Sequence, residues 1–167
     1  KGKALYPVKE TGTTTERGTM VTFIPDTTIF ESVEYNYDTL ATRMRELAYL
    51  NKGITVTLED KRETNDDGTF KGQVFHSDEG LKEFIRYIEE TREPLIAEVI
   101  SMEGEKNGIP VEVAMIYNTS YSENIHSYVN NINTHEGGTH LAGFRRGLTN
   151  TLKKYADASG MLDKLKF

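Results

Sequence analysis

The sequence has 167 residues, which corresponds to one domain or to parts of two. Its 37% of hydrophobic residues and its 14 glycines are typical of a folded globular protein and exclude a chain that is disordered throughout. The absence of cysteine excludes disulfides, iron–sulfur clusters, thiol nucleophiles and cysteine-ligated zinc, and the net charge of −6 disfavours a free-standing nucleic-acid binder.

The first third of the chain predicts a loop, a strand and a helix in that order. Residues 1–18 are polar and rich in Thr and Gly, which is typical of a loop, and the β-rich run at 19–24 predicts a strand. Apolar residues at helical spacing predict a helix over 38–52. Asp38 is its expected N-terminal cap, and Gly53 is expected to take the left-handed conformation after its end.

The next segment predicts a hairpin followed by a second helix. Alternating apolar and polar residues at 54–58 and a return strand at 69–75 flank an Asn-Asp-Asp-Gly turn. Apolar residues spaced i, i+3, i+4 and i+7 then predict a helix over 81–88, capped by Ser77 or Asp78.

The second half predicts mostly antiparallel strands and one long helix. Pro94 closes the preceding helix, strands are expected at 95–102, 109–117 and 123–130, and a helix is expected at about 139–157. Leu141, Phe144, Leu148, Leu152 and Tyr155 should face inward on that helix. The sequence therefore predicts an α+β fold with mostly antiparallel strands.

A domain boundary is expected near His76, where one hairpin ends and a helix opens a new run of strands. The segment 76–110 is acidic, whereas 141–167 carries a net positive charge. The basic stretch indicates either a solvated helix face or an anionic partner of the long helix.

Few motifs in the chain carry chemistry. There is no P-loop, no Gly-x-Ser-x-Gly elbow and no His-Glu-x-x-His, and the spacing of His135, Glu136 and His140 matches no known zinc site, so no metal is expected. His76 and His126 are expected to have structural or surface roles.

The most informative run is Gly-Gly-Thr-His-Leu-Ala-Gly-Phe-Arg at 137–145. Thr139 could cap the long helix, and Gly143 could let another segment approach it closely. Arg145 would then lie within the first two turns. The run indicates either a helix start with a packing notch or an anion-facing site.

The chain ends and the membrane signals set further expectations. No apolar run reaches the ~18 residues of a membrane span, and no signal-peptide pattern is present, which predicts a cytoplasmic protein. The chain begins without Met, so we expect it to be a piece of a longer protein.

Five runs together resemble the B subunits of bacterial DNA gyrase, a family of type II topoisomerases. They are Gly-Thr-Met-Val-Thr-Phe-Ile-Pro-Asp at 18–26, the run from Leu40 to Gly53 containing Arg-Glu-Leu-Ala-Tyr-Leu-Asn-Lys-Gly, the segments around Glu123-Asn124-Ile125 and Asn130-Asn131-Ile132, and the run at 136–145. The resemblance covers essentially the whole chain. It implies that residues 1–76 are the C-terminal part of a GHKL ATPase domain, and 77–167 the N-terminal part of a ribosomal-protein-like transducer domain.

The resemblance also implies a function and site residues. The family couples ATP binding and hydrolysis, with Mg²⁺, to DNA strand passage and negative supercoiling, as a B-subunit homodimer in an A2B2 complex with the gyrase A subunit near the nucleoid. Thr19, with Gly18 beside it, resembles the threonine that reaches adenine through water, and Val21 resembles a wall of the adenine pocket. Arg145 is similar to an arginine that faces the DNA cavity, and Thr139 and His140 are interpreted as structural.

The family's general-base Glu, Mg²⁺-ligating Asn and adenine-binding Asp would all precede Lys1, so we expect no catalytic residue in this sequence and no activity of the chain alone. Two alternatives stay open. One is the B subunit of topoisomerase IV, whose output is decatenation, and the other is a non-enzymatic α+β module that binds nucleic acid or protein.

Overall fold

The computed structural model describes residues 3–161, and it divides the chain into two units. The first unit ends at Tyr35 and the second begins at Asn36. Residues 3–35 contain no helix or strand; their clearest local feature is a turn in which Asp26 Oδ1 accepts hydrogen bonds from Thr28 N at 2.8 Å and Thr28 Oγ1 at 2.7 Å.

The strand predicted over 19–24 is wrong. No strand of the described chain pairs with this segment, and the side chains of Met20 and Ile24 are 93% and 92% exposed. A β-rich composition fits a strand only where a neighbouring strand supplies hydrogen bonds and a surface to pack against.

The second unit contains helices and antiparallel hairpins, which confirms the predicted α+β class. Its described elements are α1 (Tyr37–Leu50), β1 (Thr55–Thr64), β2 (Phe70–His76), α2 (Leu81–Ile88), β3 (Ile100–Lys106), β4 (Ile109–Met115), β5 (Tyr128–Val129), β6 (Ile132–Asn133) and α3 (Thr139–Ala158). Within residues 3–161 the strands form three two-stranded sheets, β1–β2, β3–β4 and β5–β6.

The hydrophobic core of this unit lies between α1 and the β1–β2 hairpin. Ala41, Ala48 and Phe75 are buried there. The two alanines have small side chains, so the helix can lie close to the sheet, and the larger Phe75 ring fills the space that remains. Partly buried neighbours complete the cluster: Tyr37, Met44, Val56 and Leu58.

The caps of α1 and α2 differ from the prediction. Asn36 rather than Asp38 caps α1, because its Oδ1 accepts a hydrogen bond from Thr39 N at 2.9 Å. For α2 the residue before the helix is Gly80, which has φ +61° and lies so close to α1 that a Cβ would be 3.3 Å from Tyr49 O. Only glycine adopts this conformation readily.

Ser77 nevertheless orders the turn before α2. Its side chain is almost fully buried, and its Oγ accepts a hydrogen bond from Gly80 N at 2.9 Å. Glu83 reaches back from the first turn of α2 and accepts from the backbone N–H groups of Asp78 and Glu79. The backbone donors that precede α2 are therefore satisfied from both sides.

Tight two-residue turns define the β3–β4 and β5–β6 hairpins. Asn107 and Gly108 have φ of 56° and 75°, and Asn130 and Asn131 have φ of 49° and 65°. Consecutive residues with positive φ match the right-handed twist of the flanking strands. β3 therefore extends to Lys106, beyond residue 102 at which the first of the predicted strands ends, and β4 begins directly after the turn.

Several predicted boundaries are wrong in this region. The range predicted for α2, 81–88, is confirmed, so Pro94 does not close that helix, and the strand predicted from residue 95 begins at Ile100. The strand predicted over 123–130 is reduced to Tyr128–Val129, because the turn that follows brings only two residues opposite β6.

The long helix α3 confirms the predicted range of about 139–157 almost residue for residue. The prediction that its apolar stripe is buried is wrong: Leu152 and Tyr155 are 51% and 63% exposed, and no residue of α3 is buried. Among residues 3–161, α3 packs against no other helix or strand. Leu141, Phe144 and Leu148 on the same stripe are half-buried.

Candidate functional site

The residues predicted to face a nucleotide lie in the first unit. Gly18, Thr19 and Val21 are exposed, and the side chain of Val21 is 77% exposed. Apart from its two chain neighbours, no residue from 3 to 161 has an atom within 4 Å of the position of a Cβ on Gly18. These three residues thus present an open surface, and their assignment to a nucleotide site stays a prediction.

The N-terminus of α3 is built from two glycines. Gly137 has φ +74°, and Gly138 is the residue before the helix, with no side-chain hydrogen bond capping it in the described chain. The prediction that Thr139 caps the helix is wrong, because Thr139 is already its first residue. The following His140 approaches Thr134 Oγ1 with its Nε2 at 3.3 Å, in agreement with a structural role.

Arg145 lies on the second turn of α3 and is exposed. Its Nη2 donates a hydrogen bond to Glu123 Oε2 at 2.9 Å, and the two side chains are 52% and 58% exposed. Apart from its chain neighbours and the backbone of its own helix, no atom of residues 3–161 would lie within 4 Å of a Cβ on Gly143, so no other described segment occupies the predicted packing notch. The accessible guanidinium is available to an anionic partner that displaces Glu123.

The structure also contains a polar cluster that the sequence did not predict. Tyr128 in β5 donates a hydrogen bond from its hydroxyl to Glu46 Oε1 at 2.5 Å, and Arg43 forms an ion pair with the same carboxylate. The Glu46 side chain is only 19% exposed. Burial of the phenol and the neighbouring Glu46 carboxylate both raise the pKa of Tyr128, so its hydroxyl stays protonated and donates.

The same cluster continues along the hairpin turn. Arg43 Nη2 donates to the carbonyl oxygen of Asn131 at 2.7 Å. The Asn131 amide donates to Asn51 Oδ1 at 2.9 Å, and Asn51 Nδ2 donates to Leu47 O at 2.8 Å. We call Arg43, Glu46, Asn51, Tyr128 and Asn131 the α1–hairpin junction. The two sides of the junction lie about 80 residues apart in the chain, so the local motifs that contain these residues did not indicate that they meet.

Aromatic rings line the space between α1 and α2 beside this junction. Tyr49 stacks on Phe84 with ring centroids 5.2 Å apart, and the ring of Tyr128 lies 6.3 Å from that of Phe84. Arg45 lies over the rings of Phe75 and Tyr87. Such contacts favour one relative placement of the two helices.

A second charged cluster lies at the C-terminal end of α2. The Glu89 carboxylate accepts hydrogen bonds from Asn118, Asn124 and Arg92. Burial raises the pKa of Glu89, but the three hydrogen bonds outweigh burial and hold the pKa below its ordinary value. The adjacent cleft has a volume of about 210 Å³, below the ~300 Å³ at which ligand pockets begin.

The described chain holds neither a metal cluster nor a membrane span. Among the residues that the structure describes, no three His, Asp or Glu side chains are placed to hold a metal ion together. No helix within residues 3–161 has both the length and the apolar character needed to cross a membrane.

Comparisons with known proteins agree on one family. The family model described as DNA gyrase B matches residues 80–166. The DNA gyrase B protein of Cytophaga aurantiaca is 61% identical over 166 residues, which is 99% of this chain and 35% of that relative. The chain therefore spans about a third of the length of that relative.

Two solved structures share the fold. The 43K ATPase domain of Thermus thermophilus gyrase B, determined in complex with an aminocoumarin, matches 82% of this chain and 36% of its own, with a TM-score of 0.69 and 28% identity. The gyrase B protein from Myxococcus xanthus matches 80% of this chain and 36% of its own, with a TM-score of 0.70 and 26% identity.

The order of helices and antiparallel hairpins thus defines an α+β protein of the type found in the ATPase regions of gyrase B proteins. The family match covers more than half of the sequence, and the chain belongs to the DNA gyrase B family.

Proposed function

We propose that this chain is part of the ATP-operated clamp of a type II DNA topoisomerase, and that its parent couples ATP binding and hydrolysis to strand passage and negative supercoiling. The observation that carries the proposal is the 61% identity to a gyrase B protein along nearly the whole chain. In this function residues 1–76 are the end of the ATPase domain, and 77–167 are the first part of the transducer domain.

The proposed cofactors are ATP and Mg²⁺. Gly18, Thr19 and Val21 form one edge of the adenine pocket: the Thr19 hydroxyl reaches the base through water, and Val21 supplies an apolar wall. The chain alone neither hydrolyses ATP nor binds it tightly, because an exposed segment of this kind offers few groups to a nucleotide. ATP turnover by the isolated chain above a buffer blank would contradict this part of the proposal.

The proposed partners are DNA, the gyrase A subunit in an A2B2 complex, and a second gyrase B chain on ATP binding, in the cytoplasm at the nucleoid. Arg145 faces the cavity through which a DNA duplex passes. Support comes from its position on the second turn of α3, where the guanidinium is accessible and, among residues 3–161, pairs with the exposed Glu123. Each phosphate contact adds about one charge to the salt dependence of binding.

The deciding experiment uses the full-length gyrase B protein that carries this sequence, assembled with gyrase A. We expect ATP-dependent negative supercoiling of a relaxed plasmid. Decatenation without supercoiling would identify a topoisomerase IV protein instead, and nucleic-acid binding by the isolated chain without any topoisomerase activity of the complex would favour the non-enzymatic module.

A further inference from the structure

We propose that the α1–hairpin junction positions the transducer part of the chain on the ATPase part, so that a movement of α1 is carried to the β5–β6 hairpin. This inference rests on the proposed function, which places the two sides of the junction in different domains. Arg43, Glu46 and Asn51 are positioning residues on one side, and Tyr128 and Asn131 are their partners on the other.

The junction holds the hairpin at two points rather than one. At the first point Glu46 Oε1 accepts a hydrogen bond from the Tyr128 hydroxyl, and at the second Asn51 Oδ1 accepts one from the Asn131 side-chain amide. Glu46 lies on α1, and Asn51 follows the last helix residue, Leu50, which is about 6 Å from Glu46 along the axis at 1.5 Å per residue. Attachment at two separated points fixes the orientation of the hairpin as well as its distance from the helix.

Arg43 connects the two points. Its guanidinium pairs with the Glu46 carboxylate and also donates to the backbone carbonyl of Asn131. The fork of donors on arginine is rigid, so one side chain fixes both a side chain and the main chain of the turn. The bonds to Glu46 and from Arg43 are charge-assisted, which makes them stronger than bonds between neutral groups.

The hairpin has little else to hold it in place. Val129 and Ile132 are 48% and 66% exposed, and within the described residues β5 and β6 pair only with each other. The Tyr128 ring contacts Phe84, but a ring contact alone permits sliding. The position of the hairpin therefore depends on polar bonds that a single substitution can remove.

The test uses the full-length gyrase B protein assembled with gyrase A. Tyr128→Phe keeps the ring and removes the donor, Glu46→Leu keeps the volume and removes the acceptor, and Glu46→Gln keeps an acceptor oxygen. Matched controls are Tyr121→Phe and Glu105→Leu, at side chains that are exposed. The measured quantities are ATP turnover, supercoils introduced per ATP hydrolysed, and hydrogen exchange of the amides of residues 128–133.

We expect Tyr128→Phe and Glu46→Leu each to lower the supercoils per ATP roughly tenfold, which corresponds to about 1.4 kcal/mol for one charge-assisted hydrogen bond. ATP turnover should stay near the unsubstituted value. The double variant should give about as many supercoils per ATP as the less active of the two single variants, since both substitutions remove the same hydrogen bond. Glu46→Gln keeps an acceptor oxygen for Tyr128 but loses the charge, so its ratio should fall less than that of Glu46→Leu. Both controls should keep the normal ratio, and hydrogen exchange should rise only in the junction variants.

A variant that merely loses folded protein lowers ATP hydrolysis and supercoiling together, so its number of supercoils per ATP stays the same. An unchanged number of supercoils per ATP in Tyr128→Phe and Glu46→Leu therefore overturns the inference. A double variant whose loss is the product of the two single losses overturns it as well. If the unsubstituted complex hydrolyses ATP without supercoiling, the proposed function fails. Hydrogen exchange then decides the junction separately, and unchanged exchange in Tyr128→Phe overturns it.

Discussion

Arg145 on α3 donates a hydrogen bond to Glu123 across 2.9 Å, in an ion pair that joins the helix to the segment before β5. Both side chains are more than half exposed. Exposed pairs of this kind contribute only ~0.2–1 kcal/mol. A phosphate group can therefore displace the glutamate at small cost.

The first prediction concerns Arg145→Gln in the full-length protein. We expect ATP hydrolysis to continue while the number of supercoils per ATP falls several-fold, because the substitution removes a DNA contact and leaves the nucleotide contacts intact. The measurement is the supercoiling rate and the ATP turnover in the same reaction. Arg146→Gln, at the neighbouring position on the same helix, is the matched control. An unaltered ratio in Arg145→Gln would sink the assigned role.

The second prediction concerns the partner carboxylate. Glu123→Gln should release Arg145 and strengthen DNA binding by up to about fivefold, which is the most that a pair of ~1 kcal/mol can withhold. The measurement is DNA affinity of the full-length dimer at several salt concentrations. Glu136→Gln removes an acidic charge from the loop before α3 and serves as control. Weaker binding in Glu123→Gln would show that the glutamate supports the DNA contact rather than competing with it.

Local sequence patterns predicted the elements whose stability is local. The ranges of α1, α2 and α3 follow from apolar residues at helical spacing, and the β1–β2 hairpin follows from alternation around a turn. Residues 19–24 have the same β-rich composition but form no strand in the described chain, because pairing depends on a partner that composition does not specify.

The candidate site residues also differ in whether a local sequence pattern could locate them. Arg145 could be located from the glycine-rich helix start, which is a continuous motif. The bond between Glu46 and Tyr128 joins residues 82 positions apart, and the run that contains Glu46 gives no sign of its partner. A carboxylate on a helix and a tyrosine in a strand are individually ordinary, so only the fold reveals that they meet.

The third prediction is a pH dependence at His76. Its Nδ1 lies 2.8 Å from Ile54 O, and its Nε2 lies 3.0 Å from Asp78 Oδ1. The ring can donate to both acceptors at once only when both nitrogens carry a proton. The hydrogen bond to Ile54 is the larger cause and that to Asp78 the next, and both raise the pKa of His76. The resulting stability is fully present below the unfolded pKa of ~6.5 and is lost as the pH rises through the folded pKa.

Asp78→Asn should therefore lower the pKa of His76 and reduce stability at pH 5 more than at pH 8. The pKa is measured from the imidazole proton shifts during an NMR titration, and stability from urea unfolding at both values of pH. Asp66→Asn, in the turn between β1 and β2, is the control. A pKa of His76 that stays the same in Asp78→Asn would contradict the assignment.

The last prediction concerns acid stability and the pair of Asp60 and Arg62. The Asp60 side chain is 7% exposed, and its two oxygens accept from Arg62 Nε at 2.8 Å and Nη2 at 2.6 Å, with a third bond from the Arg62 backbone N–H. These bonds lower the pKa of Asp60 to about 2. A carboxylate with a lowered pKa stabilises the fold above its unfolded pKa of ~3.9, and this stability is lost as the pH falls through about 2.

Arg62→Gln should consequently raise the pKa of Asp60 and move acid unfolding to higher pH. The loss of unfolding free energy should be greater at pH 7 than at pH 2, where about half of Asp60 is already protonated in the unsubstituted protein and its bond to Arg62 contributes less. Lys61→Gln removes a charge from the adjacent, more exposed ion pair with Glu59 and should shift acid unfolding far less. Equal losses at both values of pH would mean that Arg62 stabilises the strand by packing, because packing does not depend on the charge of Asp60.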